Sequence, residues 1–154
     1  MMLIYAIVAI ALLLVARTIY IMTRFRRLAA DQKRQLSSHL ANGMSLAESI
    51  GRVISELNRA RGLGLDSATI SSVSNKMADL SSIMDTSNVA DILAQFTQRY
   101  LLLETRIALS SGKSLDNRKV LYAAEHLELQ ERSGYYLIKP STQADFTTKY
   151  SNER

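Results

Sequence analysis

The chain contains no cysteine, no tryptophan and a single proline, and these absences exclude several classes of protein. Without cysteine there can be no disulfide framework, thiolate zinc site, iron–sulfur cluster or cysteine nucleophile. One proline and six glycines in 154 residues also exclude a collagen-like or proline-rich disordered chain. Seven tyrosines and three phenylalanines are few aromatic anchors, so aliphatic residues and methionine must build the core of what we expect to be one domain.

Only two histidines are present, and no pattern of polar residues predicts a catalytic or metal site. His39 and His126 share no acidic residue at a metal-ligand spacing, and both are typical of solvated helix faces. Arg61-Gly-Leu-Gly64 is too short for a phosphate loop and has helix on both sides. Ser110-Ser-Gly-Lys-Ser114 lacks the first glycine of a Walker A loop. We therefore predict a protein that is not an enzyme and that has no metal and no other cofactor.

Charge is absent from the first sixteen residues, and this apolar run is the strongest signal in the sequence. Leu3–Met22 is apolar except for Arg17, Thr18 and Tyr20. Twenty helical residues span about 30 Å, the thickness of the hydrocarbon core of a bilayer. The sequence therefore predicts a single transmembrane helix over residues 1–23. Arg17 either marks the end of the lipid-embedded part or faces a neighbouring helix.

Two other interpretations of this run are a cleaved signal peptide and a pilin-like assembly helix. A signal peptide carries a charged stretch before its apolar part, and here only Met1 and Met2 precede it. Cleavage after Ala16 would also place the bulky Leu14 where a small residue is required. The leader and the early glutamate of type IV pilins are missing. We expect an uncleaved anchor.

Basic residues cluster immediately after the apolar run. Against the single Asp31 they give the first 34 residues a net charge of +5, whereas the remaining 120 residues sum to zero. Positive flanks mark the cytoplasmic side, so we predict an inner-membrane protein with its N-terminus outside and its body in the cytoplasm. The neutral body predicts no nucleic-acid partner. The residues expected to contact anionic lipid headgroups are Arg17, Arg24, Arg26, Arg27, Lys33 and Arg34.

The rest of the sequence has helical periodicity and predicts an all-α fold, in which the membrane helix continues into an antiparallel bundle. A juxtamembrane extension covers residues 24–41 and the bundle residues 42–134. Asn42-Gly43 ends the first helix, and Ser45-Leu-Ala-Glu48 is a capping box for the second. Gly62 and Gly64 end the second helix, and aspartates at 66 and 85 begin the third and fourth. The third helix should bury Ile70, Val73, Met77, Leu80 and Ile83.

The fourth helix has a near-heptad rhythm like that of a coiled coil. Its expected core residues are Phe96, Tyr100, Leu103 and Ile107. The pattern weakens at Ser110–Lys113 and resumes as a helix up to Ser133-Gly134. Residues 135–154 form a C-terminal tail, in which Tyr135–Ile138 is either extended or a docking segment, and Phe146 and Tyr150 are the remaining anchors.

The segment Phe96–Ala108 resembles a late-helix signature of the LemA family, a leucine-rich run followed by Thr/Glu and Arg-Ile-Ala. One N-terminal membrane helix followed by a helical cytoplasmic body is also similar to that family. The chain departs from the family pattern where Ser114-Leu115 replaces a Tyr-Asn pair, and in having no upstream proline. The resemblance implies a bundle on a membrane stalk, no catalytic residues and one continuous helix through Ser110–Ser114. The matching positions are Leu103, Glu104, Arg106, Ile107 and Ala108.

These features together predict a membrane-anchored scaffold that forms homo-oligomers. Its partners would be anionic lipids and further copies of the same chain. The alternative is an accessory or regulatory subunit of a larger membrane enzyme or transporter. An adaptor that binds nucleic acid or lipid is a third interpretation, which depends on the basic cluster alone. The stripe expected to mediate self-association, unless the following bundle covers it, is Phe25, Leu28, Leu36 and Leu40.

Overall fold

The computed structural model describes residues 1–82 and 84–140, and within them the chain is predominantly helical. Two short strands follow the last helix. The elements are α1 (Met2–Ala41), α2 (Leu46–Arg61), α3 (Ser67–Ser81), α4 (Thr86–Phe96), a π-helical segment (Thr97–Leu102), α5 (Leu103–Ser110), α6 (Asn117–Glu125), β1 (Leu127–Arg132) and β2 (Tyr135–Pro140). Three residues named above, Ile83, Phe146 and Tyr150, lie outside the described residues.

Helix α1 runs for 40 residues without interruption, so the apolar run and the basic segment form one rod, as predicted. It ends at the Asn42-Gly43 turn, where Gly43 has a φ of +82°. A left-handed backbone of this kind favours glycine because a side chain would be strained there.

The predicted caps of α2 and α3 are confirmed. Ser45 Oγ accepts the Glu48 N–H at 3.2 Å, and the left-handed Gly62 ends α2. An Asp66 carboxylate oxygen accepts the Thr69 N–H at 2.6 Å at the start of α3. This bond stabilises the charged form and lowers the pKa of the Asp66 carboxyl below its ordinary value. Local capping chemistry therefore determines these boundaries.

Two asparagine side chains hold the connection between α2 and α3. Asn58 accepts the Leu65 N–H at 3.0 Å and donates to the Leu65 carbonyl at 2.9 Å. Asn117, at the start of α6, accepts the Asp66 N–H at 3.1 Å and donates to the Gly64 carbonyl at 3.2 Å. The glycine-containing turn is thus a structural joint that fixes α6 against α2 and α3.

The predicted core stripe of the fourth helix is wrong beyond Tyr100. Phe96 is fully buried and Tyr100 packs against the core, but Leu103 and Ile107 are 47% and 49% exposed. A π-helical turn holds more residues than an α-helical turn, so every later side chain is rotated around the axis. The buried positions after Phe96 are therefore Thr97, Leu101 and Thr105.

The expectation of an all-α fold is also corrected, because a β-hairpin replaces the end of the last predicted helix. Helix α6 stops at Glu125, and β1 pairs antiparallel with β2 from Leu127↔Pro140 to Arg132↔Tyr135. Ser133 and Gly134 form the two-residue turn with φ angles of +49° and +84°. Two successive positive φ angles are the hairpin geometry that matches the twist of paired strands. Tyr135–Ile138 is extended, one of its two expected states.

Helix α5 ends at Ser110, and a non-helical connection containing Gly112 at φ +68° leads to α6. The continuous helix implied by the LemA resemblance is therefore not formed, and the break expected from the periodicity is present. One hydrophobic core collects side chains from α1 to α4, the π-helical segment, α6 and the hairpin. Its largest fully buried members include Leu36, Ile50, Ile54, Met77, Ile92, Phe96, Leu101 and Ile138.

Candidate membrane-facing surface and its attachment to the core

The N-terminal half of α1 is a fully exposed apolar surface. Within the described residues, α1 is the one helix that is long and apolar enough to cross a membrane, and none of its most apolar stretch is buried. An N-terminal signal sequence would meet the same criteria of length and composition. Every residue from Met1 to Arg24 is exposed.

Two threonine hydroxyls within this surface form hydrogen bonds to the backbone of the same helix. The hydroxyls of Thr18 and Thr23 each donate to a carbonyl four residues earlier, at 2.8 Å. Helices in lipid must satisfy their polar groups internally because no water is available. The Arg24 guanidinium lies 5.6 Å from the centre of the Tyr20 ring, a cation–π contact at the border of the apolar run.

The six bases expected to contact lipid are all exposed on α1. At 100° per residue, Arg17 and Arg24 lie on one side of the helix, Arg26 and Lys33 on the opposite side, and Arg27 and Arg34 between them. The bases therefore cover a little more than half of the circumference and leave the side of Phe25, Gln32 and Leu36 free of charge. Such a broad band of positive charge matches a planar layer of anionic headgroups better than it matches a partner on one side.

The stripe expected to mediate self-association is divided by the structure. Leu36 is only 1% exposed in the core of its own chain, and Leu40 packs against that core. These two residues are not available to a neighbouring copy, because the following bundle covers them. Phe25 and Leu28, higher on the same stripe, are partly exposed.

A buried polar contact joins α1 to the π-helical segment. The Gln32 side-chain amide donates to Thr97 Oγ1 at 3.0 Å, and the two residues are 3% and 0% exposed. The Gln32 side-chain oxygen has no hydrogen-bond partner. No sequence pattern predicts this pair, although Gln32 is a polar residue about one turn from both Leu28 and Leu36 on an apolar stripe.

We predict that Thr97→Val destabilises the bundle by about 1–3 kcal/mol, because the buried Gln32 amide would lose its partner. Urea unfolding of the detergent-solubilised chain measures this change. Thr105→Val is the matched control, since the Thr105 hydroxyl bonds to the Leu101 carbonyl of its own helix. Equal losses for the two variants would contradict a specific role for the Gln32 contact.

Gln95 of α4 and Arg99 of the π-helical segment bind the outer edge of the hairpin. Gln95 donates to the Tyr136 carbonyl at 2.9 Å and accepts the Ile138 N–H at 3.2 Å. Arg99 donates to the Ile138 carbonyl at 3.1 Å. The side chains thus replace the backbone partners of a missing third strand. No local pattern predicts this pairing, because it joins residues about 40 positions apart.

The described part of the chain contains no group of three or more histidine or acidic side chains able to hold a metal ion. His126 stacks on Tyr122 with ring centres 4.1 Å apart, and His39 lies 3.4 Å from the Glu56 carboxylate. A polar groove of about 470 Å³ lies between α2 and α3, lined by small and hydroxyl side chains with Arg52 and Glu48. Its Ser74 hydroxyl donates to the Ile70 carbonyl at 2.6 Å.

Comparisons of the chain with protein-family models, with curated proteins and with solved structures find no match.

Proposed function

We propose that this protein is a non-enzymatic scaffold anchored in the inner membrane by one helix, with its N-terminus outside and its body in the cytoplasm. The supporting observation is that α1 belongs to two environments at once. Its first 22 residues present apolar side chains outward, whereas Gln32 and Leu36 are buried in the bundle. Because one uninterrupted helix connects them, the bundle has a fixed attachment to the anchor.

The intact mass of the protein purified from membranes tests anchoring against signal cleavage. A mass that includes the apolar run, in protein that resists extraction with alkaline carbonate, supports an anchor. A shortened, extractable chain would show that the run is a signal sequence.

We expect a cysteine placed in the 141–154 tail to resist an impermeant thiol reagent in intact cells, because the bases follow the apolar run. The natural chain has no cysteine, so the label reports a single site. Met2→Cys is the control and should be labelled. Labelling of the tail with protection of position 2 would reverse the proposed orientation.

Self-association is proposed to involve the part of α1 above Gln32, where Phe25 and Leu28 are only partly covered. We expect the double change Phe25→Glu and Leu28→Glu to remove the bands of dimers and larger oligomers after cross-linking in native membranes. Carboxylates would replace the apolar contacts between helices of neighbouring copies. Thr23→Glu with Ala30→Glu is the matched control on the opposite, exposed side. Monomer bands alone in the wild type, or higher bands unaffected by the first pair, would contradict this interface.

The second candidate function is that of an accessory subunit of a larger membrane enzyme or transporter. Arg17 favours it, since it is an exposed charge within the apolar run and such residues commonly pair with another protein group. Sizing in detergent separates the two proposals: a homogeneous assembly of this chain alone supports the scaffold, and a lone monomer supports the subunit. The resemblance to the LemA family stays a prediction.

A further inference from the structure

Helix α5 carries apolar side chains that the bundle leaves uncovered. Outside the apolar run of α1, the large hydrophobic residues described as exposed are Leu103, Ile107, Leu109 and Tyr135. Three of these four lie on α5. Leu103 and Ile107 are exposed because the π-helical segment turns them away from the core.

The composition of this exposed face is apolar and basic. Leu103, Arg106 and Ile107 lie within about 100° of one another around α5, on the side opposite the buried Thr105. Arg99 precedes them and Lys113 follows them, and both are exposed. The acidic residue of the segment, Glu104, is paired with Lys119. Apolar side chains accompanied by bases are typical of helices that lie on a membrane surface.

The contacts of α1 determine where this face points. Gln32 bonds to Thr97, the residue that follows α4, and α4 packs on α1. Short connections join α1 to α2, α2 to α3 and α3 to α4, so successive helices reverse direction and α4 runs opposite to α1. Beyond Thr97, the chain continues through the π-helical segment and α5 toward the apolar end of α1.

The two helices reach the same level. Ile107 is ten residues beyond Thr97, which is about 15 Å along the helix. Met22, the last residue of the apolar run, is ten residues before Gln32 and also about 15 Å away. The exposed tip of α5 thus ends where α1 would enter lipid.

We propose that the α5 face formed by Leu103, Arg106 and Ile107 docks on the anionic surface of the membrane that α1 crosses. Leu103 and Ile107 insert among the headgroups, and Arg106 and Lys113 bind lipid phosphates. The inference rests on the proposed membrane anchor. With α1 it gives the bundle two attachments, which fix its orientation on the bilayer.

Charge favours lipid over a second copy of the chain at this face. In a twofold symmetric dimer the patch meets a copy of itself, so the bases of one copy would meet a patch that is also basic. The exposed side of α5 offers no carboxylate to neutralise it, since its fourth member is Ser110. An anionic headgroup layer supplies the opposite charge.

Single-cysteine variants of the full chain, labelled with an environment-sensitive fluorophore, test the docking. Ile107→Cys and the exposed α3 control Ser71→Cys are reconstituted in vesicles of phosphatidylcholine alone or mixed with phosphatidylglycerol, each carrying brominated lipid as a quencher. We expect quenching at position 107, strongest with phosphatidylglycerol, and none at position 71. Arg106→Gln in the Ile107→Cys background should lower the docking equilibrium by roughly fivefold in the anionic vesicles.

A third label, at Val8→Cys within the apolar run, separates the two proposals. Quenching at 8 without quenching at 107 overturns the docking and leaves the anchor intact. The absence of quenching at 8 overturns the anchor itself and the docking with it. A blue-shifted fluorophore at 107 that is insensitive to brominated lipid and depends on protein concentration would mean that a second copy covers the face, which also overturns the proposal.

Discussion

Phe96→Ala should lower the free energy of unfolding by about 3–5 kcal/mol, whereas Leu103→Ala should change it by less than about 0.5 kcal/mol. Phe96 is fully buried, and its ring centre lies 5.3 Å from that of Tyr100. Truncation there removes buried apolar surface and leaves a cavity. Leu103 is seven residues further on, about two helical turns, yet it faces outward.

Urea unfolding of the detergent-solubilised chain, monitored by far-ultraviolet circular dichroism, measures the free energy of unfolding of both variants. The pair is its own control, because the two residues belong to one continuous helical run and both substitutions end in alanine. A loss of about 2 kcal/mol or more for Leu103→Ala would mean that the stripe continues as a regular α-helix and that the π-helical turn is absent in solution.

The helix boundaries were predictable because their causes are local. Ser45 and Asp66 accept backbone N–H groups three residues ahead, and Gly62 adopts a left-handed conformation at the end of α2. Each signal lies within one turn of the boundary that it determines. No knowledge of the rest of the fold is needed.

The π-helical segment was not predictable in this way. Its residues, Thr97–Leu102, have no side-chain signature, and the α-helical stripe through Tyr100 and Leu103 is as regular as the one before it. The contact of Thr97 with Gln32 joins residues 65 positions apart. Tertiary packing of this kind overrides local periodicity.

The hairpin was missed because Leu127 fits two patterns. It continues the helical spacing of Val120 and Ala124, and it also begins the alternation of β1. The bonds from Gln95 and Arg99 to β2 support the strand, and they come from a distant helix. The candidate membrane surface was more predictable, since it depends on a contiguous apolar run and adjacent bases.

Moving positive charge from the C-terminal to the N-terminal end of the membrane helix should reverse the orientation of the chain in the membrane. We expect Arg24, Arg26 and Arg27 changed to Gln, with four lysines inserted after Met2, to expose a cysteine in the 141–154 tail to an impermeant reagent in intact cells. Orientation follows the balance of bases within about 15–20 residues of the ends of a membrane helix. The inserted lysines would then outnumber Arg17, Lys33 and Arg34, the three bases of the cluster that remain.

The matched control changes the same number of arginines further along the chain. Arg52, Arg59 and Arg61 are exposed on α2 and lie beyond the range in which bases determine topology. Changing them to Gln, without inserted lysines, alters the net charge as much as the first three substitutions do and should leave the tail protected. If the tail stays protected in both variants, the bases of α1 do not determine the topology. The bases of α1 would then bind lipid without determining the orientation of the chain.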